Sequence, residues 1–375
     1  MATARLKSRG RAVTVAGPMR THTRDLLSAG ALLLGALSWT CGTGAPNLPP
    51  EEVVSVPGEG NVVVYVEASR RTAGPVLKTF EEQTGITVTA NYRENLGERF
   101  LPALKEEAAK GNVDFFWAAT PLSALEIAGG GLAAPFRPAG ARPVPSQYRD
   151  RRFRFIGFAA NPRVFIYNSD RLKKEDVPAE TDDLVRAPWA GHGAMPRIAS
   201  GAPAFHAAAL FALWGPKRAR SFFEALRSDG TVVVEDDRAV RRLVASGEAM
   251  WGMIGLDEAI CAKREAEPIN ILFPDRMGMG TIVPPHVAVL MRGAPHPAQA
   301  KGLFGYLFAT EGAWLFGQND CPLITFVPDV PKPEWIPALA SFNVALIDPE
   351  AAARAYRENE GYLAAWGAGG GAPRP

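Results

Sequence analysis

DDRAVRRLVASGEAMWGMIGLDE, residues 236–258, carries the clearest structural pattern in this 375-residue chain. Val240 and the pair Leu243–Val244 recur at helical spacing after an aspartate-rich start that can cap a first turn. Gly247 then suits a left-handed helix end, and residues 249–254 form an almost wholly apolar run of strand length. The pattern predicts a short amphipathic helix followed by a strand that is buried on both faces, as in a parallel sheet.

Two adjacent acids, Asp257 and Glu258, follow that strand where the next helix is predicted to begin. Open α/β sheets bind their ligands outside the carboxyl ends of their strands, so these carboxylates are the first candidate site residues. The alternative is structural, because Asp257 can cap the helix and Glu258 can complement its positive end.

Strands and helices alternate along the rest of the chain with short connections. Apolar runs at residues 62–66 and 113–117 and an alternating pattern at residues 86–92 predict three strands, with helical spacing between them. Repeated strand–helix–strand units form parallel sheets with right-handed crossovers. The loops after the first and third strands, residues 67–69 and 118–120, are therefore expected at the same edge of one sheet.

The composition is ordinary for a globular protein, since 47% of the residues are hydrophobic and 21% are charged, which leaves room for two packed cores. A formal net charge of +2 argues against nucleic acid as a partner. We found no nucleophile elbow, no HExxH pair and no glycine-rich phosphate loop with a lysine, so an enzyme is not expected.

The N-terminal region predicts export from the cytoplasm. Basic residues at positions 20–24 precede an apolar run at residues 26–37, which is too short to span a bilayer as a mature helix. We therefore assign residues 1–41 to a signal peptide. Met19 lies just before these features and is the alternative start of the chain.

Cys41 ends this signal and offers two alternatives. Its position resembles a bacterial lipoprotein signal, in which the cysteine is lipidated, but Trp39 and Thr40 depart from the usual small residues. The other alternative is a simple cleaved signal peptide. Residues 42–60 are predicted to be a disordered tether, and residues 367–375 a disordered tail.

Six segments in sequence carry a family resemblance. They are VVVYVEASR (62–70), FEEQTGITV (80–88), DFFWAATP (114–121), FRFIGFAANPRVFIYN (153–168), PWAGHGAMPRIASGAPAFHAAALFALWG (188–215) and GMGTIVPPHVAVLMRGAPHPAQAKGLFGYLF (278–308). In this order, together with residues 236–258, they resemble the iron-type branch of the bacterial extracellular solute-binding proteins, the receptors of ABC importers. The resemblance covers roughly residues 61–328.

The resemblance implies an α/β, two-lobe periplasmic-binding-protein type 2 fold, with mixed, mainly parallel sheets and a two-strand hinge. It assigns residues 61–154 and 279–366 to lobe one, and residues 155–278 to lobe two. Export permits a disulfide between Cys261 and Cys321. We expect free thiols instead, because the two cysteines are predicted to lie in different lobes.

The resemblance also implies a ligand cleft between the lobes, lined by strand ends and helix starts. Carried over by position, its residues are Glu67, Ala68, Ser69, Ala119, Thr120, Ala159, Ala160, Arg163, Ser200, Gly201, Asp257 and Glu258. Members that bind ferric ion usually place two consecutive tyrosines where this chain has Asp257 and Glu258, so this chain lacks the expected phenolate ligands.

Several ligands remain compatible with these residues. The carboxylates of Asp257, Glu258 and Glu67 are hard oxygen donors that can hold a metal ion or an organic cation. Main-chain N–H groups around Ser69, Ala160 and Ser200 can take an anion, alone or as the synergistic partner of a metal ion. Arg163 is either a bidentate clamp on a carboxylate or phosphate, or part of a buried structural ion pair.

We therefore expect a monomeric solute-binding protein of the periplasm or cell envelope, with or without a lipid anchor in the membrane. It is expected to deliver a small solute, either a metal ion such as ferric ion or a small charged organic molecule, to an ABC permease of the inner membrane. No cofactor is expected beyond this bound ligand. The alternatives are a secreted hydrolase on the same two-lobe scaffold and a sensory binding protein without transport.

Overall fold

The computed structural model describes residues 48–56 and 58–368. In that part of the chain, no helix is both long and apolar enough to cross a membrane. The predicted signal peptide, with Cys41, lies outside the described residues, as does the tail from residue 369.

The predicted alternation of strands and helices holds for residues 60–129, whereas five strands between residues 133 and 196 follow one another without an α-helix between them. The strands are β1 (Glu51–Glu52), β2 (Gly60–Val66), β3 (Ile86–Tyr92), β4 (Phe115–Ala118), β5 (Ala133–Ala134), β6 (Arg137–Pro138), β7 (Ile156–Ala160), β8 (Arg163–Asn168), β9 (Gly193–Pro196), β10 (Val232–Val234), β11 (Trp251–Gly255), β12 (Ile269–Leu272), β13 (Pro285–Met291) and β14 (Ile324–Thr325). The helices are α1 (Arg70–Thr84), α2 (Arg93–Leu96), α3 (Phe100–Ala109), α4 (Pro121–Gly129), α5 (Gly201–Trp214), α6 (Pro216–Ser228), α7 (Asp237–Ser246), α8 (Leu256–Arg264), α9 (Pro297–Leu307), α10 (Thr310–Gln318) and α11 (Pro349–Ala368).

Two mixed sheets organise two lobes. The first sheet has the order β14-β7-β13-β4-β2-β3, with β5 paired to β13, and the second has the order β10-β9-β11-β8-β12. Strands β2, β3 and β4 run parallel, as predicted, but β13 pairs antiparallel with both β4 and β7. The two-lobe fold is confirmed. Parallel pairing does not dominate it, because strands next to the crossings between the lobes enter each sheet in the reverse direction.

The two crossings between the lobes form a hinge. Asn161 and Pro162 connect β7 in the first sheet to β8 in the second, and the residues before β13 lead back. The Asn161 N–H donates to the Pro284 carbonyl at 3.0 Å, and the Arg163 N–H donates to the Ile282 carbonyl at 2.9 Å. Because the crossings are hydrogen-bonded to each other, they act as a two-strand hinge.

The stretch at residues 236–258 forms the predicted helix and strand. Asp236 caps α7 by accepting the Ala239 N–H at 2.8 Å, and Gly247 ends the helix at a φ of 79°. Strand β11 is buried along its whole length, parallel to β9 and antiparallel to β8. Helix α8 follows directly, so the acidic pair lies in its first turn.

Two elements differ from the predicted division into lobes. Strand β7 was expected in lobe two but pairs within the first sheet. Helix α11 was expected in lobe one but packs on α5 of the second lobe. The Trp366 Nε1–H donates to the Phe223 carbonyl at 2.7 Å, and the two rings meet edge to face. Burial of Trp366 against this core explains why the C-terminal helix returns to the second lobe.

Part of the predicted tether is ordered. Strand β1 pairs with β6, Glu52 forms an ion pair with Lys301 at 2.7 Å, and Val54 packs on Gly305. The prediction of disorder was wrong for this portion, because these contacts with distant parts of the chain compensate for its low apolar content.

Cys261 and Cys321 form a disulfide, with their Cα atoms 5.2 Å apart. The expectation of free thiols was therefore wrong. The cysteines do belong to elements of different lobes, but α8 lies directly against the segment that follows α10, and this contact brings the two sulfurs together.

Candidate functional site

A cavity of about 730 Å³ lies between the lobes. Glu67 and Thr120 line it from the loops that follow β2 and β4 of the first sheet, and Ser200 and Gly201 line it from the segment between β9 and α5 of the second lobe. The structure therefore brings these four predicted cleft residues together around one opening. Its volume lies within the range of small-molecule sites.

Glu67 ties two of these loops together. Its Oε1 accepts the Arg93 Nη1–H at 2.9 Å, and its Oε2 accepts both the Ala119 N–H at 3.0 Å and the Ser123 hydroxyl at 2.6 Å. The Glu67 side chain is only 7% exposed, so both oxygens serve the protein itself. Glu67 thus shapes the cavity wall and leaves little free lone-pair capacity for a metal ion.

Asp257 lies beside the hinge, outside the cavity lining. Its N–H donates to the Asn161 Oδ1 at 3.2 Å, and its Oδ1 accepts the Glu258 N–H at 2.8 Å. Burial raises the pKa of Asp257 to about 6, and the negative charge of Asp237 contributes to this rise. At neutral pH, Asp257 is therefore ionised although its buried position favours the neutral form. Carboxylates with raised pKa values are common among functional residues.

Replacing Asp257 with asparagine is expected to raise the free energy of unfolding by about 1–2 kcal/mol at pH 7.5. The folded-state pKa lies above the unfolded value, so ionisation destabilises the fold as the pH rises through 6. The gain should therefore vanish below about pH 3, where the acid is protonated in both states. Urea unfolding at both pH values measures it, with the exposed Asp176→Asn as control; an equal gain at low pH would contradict this account.

The Glu258 side chain contacts two arginines of helix α7. Its Oε1 lies 2.9 Å from Arg241 Nη1 and 3.5 Å from Arg238 Nε. Arg241 is 4% exposed and also pairs with Glu265 and Glu267. This network holds Glu258 as a structural partner of Arg241, which agrees with the first-turn role that the sequence left open.

The proposed metal ligands Glu67, Asp257 and Glu258 do not form one cluster. Among the described residues, the set of three potential ligands within 4.8 Å of one another is Glu258, Cys261 and Cys321. The two sulfurs of that set are joined in the disulfide, so they offer no thiolate. Within the described part of the chain, these three carboxylates therefore offer a hard cation no preassembled oxygen cage.

Three predicted cleft residues are buried in the lobes. Ala159 and Ala160 are fully buried in β7, between β13 and β14, so they offer no surface to a solute. Arg163 is 1% exposed, and its guanidinium donates to both Asp237 oxygens at 2.6 and 3.0 Å and to the Met253 carbonyl at 3.1 Å. Arg163 therefore belongs to a structural ion pair and is not a ligand clamp, because its guanidinium N–H groups are hydrogen-bonded within the second lobe.

The remaining predicted residues have local roles. Ala68 is buried at 4% exposure, and Ser69 caps α1 by accepting the Thr72 N–H at 3.2 Å. The Ala119 N–H already donates to the Glu67 carboxylate. Ser200 starts α5 without a side-chain cap, and no acid lies in the first turn, so the helix start remains open to an anion.

The sequence reasoning missed the contribution of α11 to the cavity. Its lining residues recur at helical spacing, and they are Glu350, Ala353, Arg354, Tyr356, Arg357 and Glu360. This spacing was visible in the sequence as a polar face on an otherwise apolar helix. The Tyr356 hydroxyl donates to the Ala199 carbonyl at 2.8 Å, which holds α11 against the segment that leads into α5.

The cavity carries charges of both signs. Arg93 and Arg154 lie in it but are paired, with Glu67 and Asp150 respectively. Arg354 and Arg357 also line it, as do three acids, and none of these side chains forms an ion pair with another residue that the structure describes. The acids are Glu98, Glu350 and Glu360. These two guanidinium groups are therefore the cations most available to a guest.

Comparison with known proteins agrees with this architecture. The sequence model of a family described as bacterial extracellular solute-binding protein matches residues 125–343, more than half of the chain. The Fe(3+)-binding periplasmic protein of Serratia marcescens is 24% identical over 266 residues, covering 69% of this chain and 77% of the relative.

Two solved structures share the fold at low identity. The crystal structure of apo ferric ion-binding protein A of Pasteurella haemolytica gives a TM-score of 0.72 at 20% identity, covering 82% of this chain and 97% of that one. The periplasmic binding protein AfuA of Actinobacillus pleuropneumoniae, with exogenous fructose-6-phosphate bound, gives 0.70 at 18% identity, again covering 82% and 97%. Both support the two-lobe fold.

Proposed function

Because the chain belongs to the family of bacterial extracellular solute-binding proteins, we propose that its interlobe cavity binds a small organic solute with an acidic group. The observation that carries this proposal is the cavity of about 730 Å³, to which both lobes contribute and in which Arg354 and Arg357 are unpaired among the described residues. Guanidinium forks match carboxylate and phosphate groups in geometry and charge.

The open start of α5 supports the same ligand class. Ser200 and Gly201 belong to the cavity lining, and the positive end of a 14-residue helix favours a negative group there. An acidic group between this helix start and the arginines of α11 would contact the second lobe, while the rest of the solute would reach Glu67 and Thr120. Closure around such a guest excludes water and strengthens each polar contact.

A metal ion is the second candidate, since the Serratia and Pasteurella proteins are named for ferric ion. Binding through the three predicted ligands would require ferric ion to recruit Asp257, which lies outside the cavity lining, with Glu67 and Glu258. The last two carboxylates would then have to release Arg93 and Arg241. That rearrangement makes the organic solute the better-supported cargo.

The family also supports the proposed location and partner. We propose a monomeric protein in the periplasm or cell envelope that presents its solute to the permease of an ABC importer. Solute binding, rather than catalysis, defines the family, which favours this function over a secreted hydrolase on the same scaffold.

Replacing both Arg354 and Arg357 with glutamine is expected to weaken binding of the acidic solute at least tenfold, the loss of about 1.4 kcal/mol. Native mass spectrometry with elemental analysis of freshly purified protein identifies a co-purified guest. Calorimetry with fructose 6-phosphate, citrate, inorganic phosphate and ferric citrate then measures the affinities.

The matched control is the double variant Arg218→Gln and Arg242→Gln, which removes two exposed arginines outside the cavity lining. Its affinity should equal that of the wild-type protein. Stoichiometric iron in the purified protein, with ferric binding unchanged by the α11 substitutions, would overturn the organic-solute proposal in favour of the metal ion.

A further inference from the structure

The disulfide joins the two lobes of this protein covalently. Cys261 lies in α8, which follows β11 of the second sheet, whereas Cys321 lies between α10 and β14, and β14 pairs in the first sheet. The two cysteines are 60 residues apart in sequence. Neither cysteine lines the interlobe cavity.

Polar contacts surround this bond and form what we call the lobe seam. Its second-lobe side is made of Cys261 and Arg264 of α8 and of Glu265, which ends that helix; its first-lobe side is made of Arg71, Asn319, Asp320 and Cys321. The Arg264 Nη1–H donates to the Asn319 carbonyl at 2.9 Å, and Arg264 Nη2 lies 3.3 Å from Asp320. Asp320 is 75% exposed, so its ion pair contributes little on its own. The covalent bond is therefore the strong connection in the seam.

Both sides of the seam are anchored in their own lobes. On the first lobe, the Asn319 Nδ2–H donates to the Thr72 carbonyl at 2.9 Å, in a buried position. On the second lobe, Arg241 binds Glu265 from the adjacent helix α7. Relative motion at the seam must therefore be a motion of whole lobes, because neither side can move away from its lobe alone.

The seam also lies near the hinge. The Leu256 N–H at the start of α8 donates to the Pro162 carbonyl of one crossing at 2.9 Å, and Cys261 follows about 7.5 Å further along the helix. Disulfides tolerate Cα separations of up to about 6.8 Å. Because the separation here is 5.2 Å, the seam can widen by less than about 2 Å.

We propose that the Cys261–Cys321 disulfide is a latch that restricts how far the two lobes separate and so slows exchange of the solute. The bond holds the lobes together beside the hinge, so it limits how far they swing apart at the cavity, which neither cysteine lines. The part of this proposal that concerns solute exchange rests on the proposed function, but the restriction on lobe motion does not.

Small-angle X-ray scattering of the solute-free protein tests the latch. The double variant Cys261→Ala with Cys321→Ala is expected to have a radius of gyration about 1 Å larger than that of the wild type, as for a hinge opening in a protein of this size. The matched control Arg71→Gln with Arg264→Gln keeps the disulfide and should retain the wild-type radius. Equal radii for the cysteine variant and the wild type would overturn the latch.

Solute kinetics separate this inference from the proposed function. With whichever of fructose 6-phosphate, citrate or ferric citrate binds the wild-type protein, the cysteine variant should release it at least threefold faster. A larger radius without binding of any probe would support the latch and count against the proposed cargo. If the cysteine variant bound the probe normally and kept the wild-type radius and release rate, the proposed cargo would be supported and the latch would be overturned.

The wild-type protein provides a test that does not depend on the folding of the variant. Reduction of the disulfide in the solute-free wild type is expected to increase its radius of gyration by about 1 Å relative to the oxidised protein. An unchanged radius after complete reduction would show that the disulfide does not restrict the lobes. The substitution Cys261→Ser with Cys321→Ser serves as a second variant in the scattering experiment.

Discussion

Replacing Arg163 with methionine is expected to lower the free energy of unfolding by about 3–5 kcal/mol. Arg163 is 1% exposed and donates to both oxygens of Asp237 and to the Met253 carbonyl. Methionine fills much of the volume but leaves the Asp237 carboxylate without its cation. Asp237 also accepts the Gly255 N–H at 2.8 Å, so the damage reaches the junction of β11 and α8.

Urea unfolding at pH 7.5 measures this effect. The matched control is Arg186→Met, because Arg186 is 65% exposed and its carboxylate partners are also partly exposed. The control should change the free energy of unfolding by less than about 0.5 kcal/mol. If Arg163→Met kept its stability and lost solute binding, Arg163 would be the clamp that the sequence left open.

Acidification from pH 7 to pH 5 is expected to remove about 4 kcal/mol of stability through two buried histidines, about 2 kcal/mol each. Burial lowers the pKa of His286 to about 4, and burial together with the charge of Arg163 lowers that of His206 to about 3. In the unfolded chain both titrate near 6.5, so the unfolded state binds more protons below that pH. Stability is therefore fully present above pH 6.5 and is lost as the pH falls.

Asp257 acts in the opposite direction over the same interval. The pKa of Asp257 is raised to about 6 in the folded state, so protonation between pH 7 and pH 5 returns about 1 kcal/mol. The expected net loss from these three groups is about 3 kcal/mol. Chemical unfolding at closely spaced pH values measures it.

The variant His286→Gln isolates one histidine. His286 Nδ1 accepts the Trp117 Nε1–H at 3.1 Å, and a glutamine carbonyl can accept the same bond. This variant should lose about 2 kcal/mol less than the wild type between pH 7 and pH 5. The exposed His192→Gln is the control and should follow the wild-type curve; an identical acid loss in His286→Gln would refute the assignment.

Much of the fold could be predicted because its signals are local or ordered along the chain. Asp236, Gly247 and the apolar run before Gly255 specify a capped helix and a buried strand through contacts among near neighbours. The order of such units also carried the resemblance to two-lobe binding proteins. The cavity residues Glu67 and Thr120 were predictable for the same reason, since they follow predicted strands, whereas Ser200 and Gly201 came from the resemblance.

The rest of the site depends on residues that are distant in sequence. Arg163 and Asp237 are 74 residues apart, and nothing in either local pattern marks them as partners. Ala160 was predicted to line the cleft, but it ends β7, where β13 and β14 pair with it on both sides. The polar residues of α11 recur visibly at helical spacing, but only the packing of α11 on α5 brings them to the cavity.

The sequence by itself determined the alternation of strands and helices, the family and the strand ends from which a cleft is built, because hydrophobic periodicity and capping act over a few residues. Only the tertiary structure decided that Arg163 pairs with Asp237, that Cys261 bonds to Cys321 and that Arg354 and Arg357 line the cavity. Each of these contacts joins segments that are distant in sequence and that meet only when the tertiary structure packs. Local sequence patterns do not encode that packing.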